Sequence, residues 1–545
     1  MPTSSQDSEK KAGILLVLLF SLVLHGVGIW YGLPGQESWT PDEILPRDVQ
    51  DGIARHFSHD WCQKYPPLHY YQLALVETPF LIFAKARGLD DDDLSFHSLL
   101  LLAGRFLSLF MGAGIIFLVY KCGREIFDER SSLLAAWITA LLVPLVYHAK
   151  MANVDVPYLF WFMASLLCFL RLLKTHRRKY YLLFALTAVL SVCTKDQAFA
   201  LYVLPVIWLL LADWKSRKKA DPNLTMIRFL GSRTYLYAAA VAVMTFALAQ
   251  NLVFNIQGFL LHLKVITRAR SFGLLWFPNT IAGNISLLEL TFSQIRFSFG
   301  WPLFAIGTIG LVKALAARSR NFVELSLLAF PASYLLFYIF VIRYNFARFN
   351  LPICFILCFF GGQFLASAWR VQTKYSKFFR MAAAAALLYS VFYAASLDVY
   401  MVKDSRYAVE KWIKRNIPQG TTIGGAVWWT YAPRLPGYRR VPLELFWPSF
   451  QKLDPKPDYV LVNKDFSRLF WLNPRRREFF ENFYRGEERY RVVLQYRTPL
   501  SWLPLRQTEL ATNINLINPE ILIYKKVKRS SNPGRQKNGF DEEID

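Results

Sequence analysis

Cysteine is scarce and scattered. The six cysteines stand at 62, 122, 168, 193, 354 and 358, and none follows. No disulfide framework and no zinc ligand set can be assembled from that spacing. Cys354 and Cys358 would share a helix face, where small core residues are the ordinary reading. Acidic residues are also short. Lys and Arg number 63 against 39 Asp and Glu, a formal charge of +24. Nucleic-acid binding is the usual reading of such an excess. Here the basic residues cluster in short links between apolar runs, which is the positive-inside pattern instead. No strand leads into a glycine-rich phosphate loop, so the four aspartates at 90–93 are read as a solvated turn, not a nucleotide and metal site. No internal repeat is visible. The first apolar run lacks a small-residue cleavage site and is kept as a helix.

What the chain has is apolar length. Of its 545 residues 54% are hydrophobic and 16% aromatic, with mean hydropathy +0.24. That is the composition of a polytopic membrane protein. Apolar runs at 13–33, 96–120, 133–148, 156–173, 181–193, 198–211, 235–254, 303–315, 322–342, 351–369 and 381–400 alternate with links. The dense basic links, from Lys10-Lys11 through Lys121 and Arg124 to Lys377 and Arg380, then all fall on one side. Residues 68–84 are apolar too, but Glu77 and Pro79 interrupt them, and a crossing there would invert every later basic link. They are predicted to be interfacial or re-entrant. Residues 255–297 are predicted to be an outer loop with an amphipathic start, GFLLHLKVITRAR.

From residue 401 hydrophobicity falls and charge rises. DSRYAVEKWIKRNIPQG reads as a helix stopped by Pro418 and Gly420. Short β-prone runs follow at 459–462, 490–496 and 521–524. The predicted fold is a polytopic α-helical membrane protein of about eleven transmembrane helices, with interfacial helices in the first outer loop and a C-terminal soluble α/β domain. Its parts are a membrane domain at 1–400, an outer α/β domain at 401–529 and a polar tail at 530–545, predicted to be disordered.

The first outer loop holds the candidate chemistry. It reads WTPDEILPRDVQDGIARHFSHDWCQKYPPLHYY over residues 39–71. Asp42 and Glu43 are adjacent carboxylates behind a proline. A carboxylate at a membrane surface is a candidate general base for a substrate arriving in the lipid. The plainer alternative is that Asp42 caps the helix that follows. Asp155, before Pro157, begins a membrane helix and is either a functional acid or part of its N-terminal cap. Arg105, Lys195 and Arg348 are cations beside apolar runs. Each either snorkels to the interface or binds an anion there. The predicted topology puts Asp42, Asp155, Lys195, His262, Arg343 and Arg348 on the outer side together.

Several of these stretches resemble the GT-C glycosyltransferases. They are the DE pair, YPPLHYY, the R-x-x-S-x-x-x-G pattern at 105–112, NVDVPYLFWF at 153–162, CTKDQAFAL at 193–201 and RFNLP at 348–352. The pattern is similar to that of bacterial membrane proteins related to protein O-mannosyltransferases and lipid A aminoarabinose transferases. The opening of the C-terminal domain, at 404–423, resembles theirs as well. The resemblance implies transfer of a sugar from a polyprenyl-phosphate-linked donor to an acceptor hydroxyl, with inversion. It implies a bacterial cytoplasmic membrane; the parity of the runs puts the catalytic face and C-terminal domain outside, and the placement of the basic links argues against a nucleic-acid partner. Carried over, Asp42 is the general base and Glu43 its neighbour. Asp155 matches a second acidic position that orders the site. Arg105 and Lys195 match basic positions near the lipid phosphate, and Arg348 the arginine before the late Leu-Pro. One departure stands out. Lys64-Tyr65 occupies the place of a Glu-Lys pair, which puts a divalent metal held through that glutamate in doubt. His69 and His262 are the substitute candidates. The acceptor is open: lipid, glycan or protein. A transporter or lipid flippase is the rival class, but it predicts midplane charges and inverted repeats, and neither is visible. A non-catalytic scaffold is the third reading, opposed by the intact Asp42, Asp155 and Lys195.

Overall fold

The structure is a computed structural model. It describes residues 4–527 except 36, 89–92, 268–275, 318–321, 371–373, 469–472, 486–489 and 512–513. The predicted tail and all of the aspartate run but Asp93 lie outside the described residues. The chain divides into two compact units, residues 1–402 with 500–515, and residues 403–499 with 516–545.

The first unit is helical. Its helices are α1 Ser4–Gly26, α2 Pro46–Ala54, α3 Leu68–Arg87, α4 Leu94–Ile126, α5 Glu129–Ala140, α6 Val143–His148, α7 Asp155–Thr175, α8 Arg178–Thr194, α9 Val203–Ala220, α10 Met226–Leu230, α11 Arg233–Ala249, α12 Ile256–Thr267, α13 Ile281–Ala316, α14 Phe322–Ser326, α15 Ala329–Tyr334, α16 Phe340–Ile342, α17 Leu351–Arg370 and α18 Ser376–Val402. Among the described residues, seven helices are long and apolar enough to cross a membrane. The chain is a polytopic integral membrane protein. Every apolar run predicted to span is helical over most of its length. The other four runs fall on α1, α5 with α6, α8 and α11, whose apolar helical stretches are shorter or interrupted.

Two predicted boundaries are corrected. The first run ends its helix at Gly26, because Gly28 (φ 79°) and Gly32 (φ 74°) turn the chain in the left-handed region. Residues 255–297 are not one loop: they hold α12 and the first half of α13. α13 begins at Thr280, whose hydroxyl accepts from Gly283 N–H at 3.1 Å, and breaks at Gly300 (φ 68°) ahead of Pro302. α3 runs through Pro79 as a single helix and is not among the seven.

Where α5, α13 and α17 meet, glycine lets backbones touch. A Cβ added at Gly362 would lie 2.5 Å from the Ser131 carbonyl oxygen, and one at Gly310 would lie 2.3 Å from that of Phe360. Small residues at such crossings are how helices pack when lipid supplies no hydrophobic drive between them.

The second unit is an α/β domain. It contains α19 Ser405–Asn416, β1 Thr422–Gly425, β2 Arg439–Pro442, α20 Trp447–Lys452, β3 Tyr459–Asn463, α21 Lys464–Arg468, α22 Pro474–Arg485, β4 Tyr490–Tyr496 and β5 Ile521–Lys526. The five-stranded sheet has the order β2-β1-β3-β5-β4. The first three strands are parallel, and β5 pairs antiparallel with both β3 and β4. α19 starts at Asp404, whose carboxylate accepts from Arg406 N–H at 2.9 Å. It covers one sheet face through Val409 and Ile413. α20 and α22 cover the other through Phe450, Phe479 and Phe483. The three predicted strands are present. β1 and β2 escape a sequence reading because TIGG and RRVP carry little β propensity.

Candidate active site

The first unit brings four of the predicted site residues into one charge chain. Asp42 lies in the α1–α2 connection in the left-handed region, φ 63°, where a non-glycine residue is held at a cost of about 1–3 kcal/mol. One carboxylate oxygen accepts from Lys64 Nζ, and the other accepts from Arg348 Nη2 at 2.6 Å. Arg348 sits in the turn Ala347–Asn350 that leads into α17, and its Nη1 is 3.6 Å from Asp155 Oδ2. Asp155, the first residue of α7, accepts through Oδ1 from Lys195 Nζ at 2.6 Å. The order is Lys64, Asp42, Arg348, Asp155, Lys195: three cations alternating with two anions.

Burial decides what these pairs can do. The side chains of Asp155, Lys195 and Arg348 are 1%, 8% and 7% exposed. Lys195 therefore does not snorkel: its Nζ sits over the rings of Tyr158 (5.4 Å) and Phe349 (5.2 Å). Arg348 stacks against Phe346 and Phe349. Among the described residues its Nε and Nη1 donate to no acceptor, and Asp155 Oδ2 accepts from no donor. Donors this deeply buried are rarely left unmade. Burial alone would raise the Asp42 carboxyl, but Arg348 and Lys64 outweigh it and hold Asp42 well below the usual carboxylate range.

The capping alternative is not realised at Asp42 or Asp155. Asp42 faces two cations, and the helix after it takes Leu45 as its cap residue. The Asn153 amide oxygen accepts from Asp155 N–H at 3.1 Å, which leaves the Asp155 carboxylate to Lys195.

Glu43 and Arg105 lie elsewhere. Arg105 grips Glu43 with two bonds of 2.8 Å and donates from Nη1 to the carbonyls of Ile29 (2.7 Å) and Tyr31 (2.9 Å). Both side chains are fully buried. Glu43 also accepts from Ser38 Oγ and from Ala152 N–H, the latter at 2.8 Å, while Ile44 N–H donates to the Ala152 carbonyl at 2.8 Å. This clamp fastens the loop of Asp42 to the α6–α7 connection just before Asp155. It fixes the two acids relative to each other, and it turns Arg105 inward to protein acceptors.

The metal candidates stand apart. His262 on α12 bonds the Gln63 carbonyl and Asp196, each at 3.1 Å. His69 on α3 is buried and bonds Gln72 at 3.0 Å. Among the described residues no group of three His, Cys, Asp or Glu side chains could hold a metal ion.

Residues 96–248 match the sequence model of the dolichyl-phosphate-mannose-protein mannosyltransferase family. The match is well under half of the chain, from α4 to α11. It contains Arg105, Asp155 and Lys195 and stops short of Asp42 and Arg348. No curated protein sequence matches. Among solved structures the chain is similar to the oligosaccharyltransferase of Archaeoglobus fulgidus crystallised with zinc and sulfate, at 14% identity and TM-score 0.48, over 94% of this chain and 88% of that one. It is similar to ArnT from Cupriavidus metallidurans bound to undecaprenyl phosphate, at 12% identity and TM-score 0.46, over 94% and 97%. It is also similar to the S. cerevisiae protein O-mannosyltransferase Pmt1-Pmt2 complex bound to the sugar donor, at 16% identity and TM-score 0.32, over 55% and 37%.

Two parts of the site were not read from the sequence. Lys64 entered only as a departure from a motif, although a lysine before Pro66-Pro67 in the loop of Asp42 was a usable signal. Gln197 lies inside CTKDQAFAL and carries no charge to mark it. It donates to the hydroxyls of Tyr158 (3.0 Å) and Tyr334 (2.8 Å) and accepts from Tyr338 (2.9 Å). Tyr334 and Tyr338 flank and enter a π-helical turn, Leu335–Ile339, of the kind often found beside functional sites. This network underlies Tyr158, the ring beneath Lys195.

Proposed function

We propose that the protein is a membrane glycosyltransferase that moves a sugar from a polyprenyl-phosphate-linked donor to an acceptor hydroxyl on the outer face of the membrane. The observation that carries the reading is the charge chain. It sets a carboxylate beside a buried arginine that keeps two donors unused, and it holds one more cation than anion. A lipid phosphate fits the cations, and an acceptor hydroxyl fits the carboxylate. The motif resemblance and the mannosyltransferase family match support the same class.

The step needs one base. Asp42 takes the proton of the acceptor hydroxyl as that oxygen attacks the anomeric carbon. The bond from that carbon to the phosphate oxygen breaks on the opposite face. Polyprenyl phosphate leaves with the bonding pair, and Arg348, Lys64 and Lys195 stabilise its charge. A single displacement inverts the anomeric carbon and needs no second carboxylate as nucleophile. Asp155 orients Lys195 and Arg348.

The test is incubation of the purified protein with radiolabelled polyprenyl-phosphate sugars and membrane extract. The wild type forms a product with a new glycosidic bond. Asp42→Asn lowers the rate about 100- to 10,000-fold, a barrier change of roughly 3–5 kcal/mol. Near-normal transfer by that variant removes Asp42 from the mechanism.

A further inference from the structure

Both oxygens of Asp42 are occupied by cations, Lys64 on one and Arg348 on the other. A base in that state is poor at accepting a proton. The same two cations are the ones a phosphate would reach first. Lys64 is 63% exposed, and Arg348 keeps Nε and Nη1 without acceptors among the described residues. We propose that Asp42 and the donor's phosphate compete for Lys64 and Arg348, so that the base is latent until the donor binds and the donor is the obligatory first substrate. The inference rests on the functional reading above and adds a regulation to it.

The competition follows from counting partners. Among the described residues, the other charged or titratable groups that act on Asp42 include Asp155 across Arg348, Tyr65 from its own loop, Tyr344 from the turn after α16, His148 from the end of α6, and Lys195. None bonds the Asp42 carboxylate. Lys195 is committed to Asp155 at 2.6 Å. When Lys64 swings to a phosphate and Arg348 turns its guanidinium toward the same anion, the Asp42 oxygens lose their donors and gain a negative neighbour. Both changes make the carboxylate a stronger base. By linkage, whatever Asp42 loses to the phosphate, the phosphate loses to Asp42.

That reciprocity gives a test without turnover. Binding of a short-chain polyprenyl phosphate to the full chain in detergent is compared with binding of the neutral polyprenol and of inorganic phosphate. Removing the Asp42 charge frees both cations. Asp42→Asn should therefore bind polyprenyl phosphate about tenfold more tightly than the wild type, the scale of one charge-assisted hydrogen bond, with polyprenol unchanged. Asn suits the left-handed backbone at this position. Asp42→Gly suits it too and serves if the first variant does not fold. Lys64→Met should weaken phosphate binding and shrink the gain from Asp42→Asn. A gain of the same size with and without Lys64 would be general electrostatics and would overturn the competition, as would equal or weaker binding by Asp42→Asn and Asp42→Gly. Tight binding of inorganic phosphate with the same pattern supports the competition and assigns recognition to the anion rather than the chain. Failure of every variant to prefer polyprenyl phosphate over polyprenol overturns the functional reading, and this inference with it. In the wild type, kcat should show an acid limb in the carboxylate range that kcat/KM for the donor lacks. Superimposed profiles count against the latent base.

Discussion

At the scale of single residues, the Arg105–Glu43 clamp and the Asp42 site predict different failures. Removing one partner of a fully buried ion pair leaves the other charge unpaired, at a cost of about 3–5 kcal/mol. Arg105→Ala should therefore lower thermal stability in detergent and the yield of monodisperse protein before any effect on donor binding can be read. Arg105→Lys should recover little, because a lysine cannot reproduce the two-pronged grip. A folded Arg105→Ala whose sole defect is donor affinity would return Arg105 to the phosphate. His262 gives the pH prediction. Burial alone would lower its pKa, but the bond to Asp196 and that residue's charge raise it above the ordinary 6.5. A raised histidine contributes its stability below the unfolded-state value and loses it as pH rises through the folded value. The tie from α12 to Asp196 should weaken upward from about pH 6.5. Limited proteolysis near α12 should then speed up with pH in the wild type and stay level in His262→Gln. A wild-type rate that does not change with pH would count against the pair.

At the scale of elements, the kink of α13 is specific enough to break. An added Cβ at Gly300 would lie 3.1 Å from the Tyr393 ring, and the backbone there is left-handed. With φ 68° and ψ 163° the position is open essentially only to glycine, and Gly300→Ala should lose about 1–3 kcal/mol from backbone strain alone, read as a lower unfolding temperature. An unchanged midpoint would mean that the helix straightens without penalty. α3 carries a topological prediction. A fusion reporter placed after Arg87 should report the outer side, and a cytoplasmic signal there would require a further crossing and move Asp155 to the other face. The helices themselves were legible because lipid demands long unbroken apolar runs. The first half of α13 was not, because LTFSQIRFSFG mixes polar residues into the run and Gly300-Trp301-Pro302 reads as a loop.

At the scale of the whole molecule, the reading places the first loop and the C-terminal domain on one side of the membrane. Cysteine reporters at Ser58 and Ser449 should be labelled equally from outside, and labelling of only one would sink that topology. Both acids and two of the three cations of the site could be named from the sequence, because charges beside apolar runs are conspicuous. Their partners could not. Glu43 and Arg105 are separated by 62 positions and Asp42 and Arg348 by 306, and nothing in local pattern says which cation meets which acid. Tertiary pairing alone distinguishes the clamp from the site.

The glycine crossings of α5, α13 and α17 bear on how the protein survives extraction. Contacts made by the absence of a side chain depend on fit between backbones rather than on the surrounding solvent. They hold equally well when bilayer is exchanged for micelle. Deuterium uptake should therefore be slowest along α5 and the middle of α17, around Phe360–Gly362, and still slow there after the charged loops of the site have begun to exchange. The charged loops of the candidate site would loosen first, while the glycine-packed crossings stay closed.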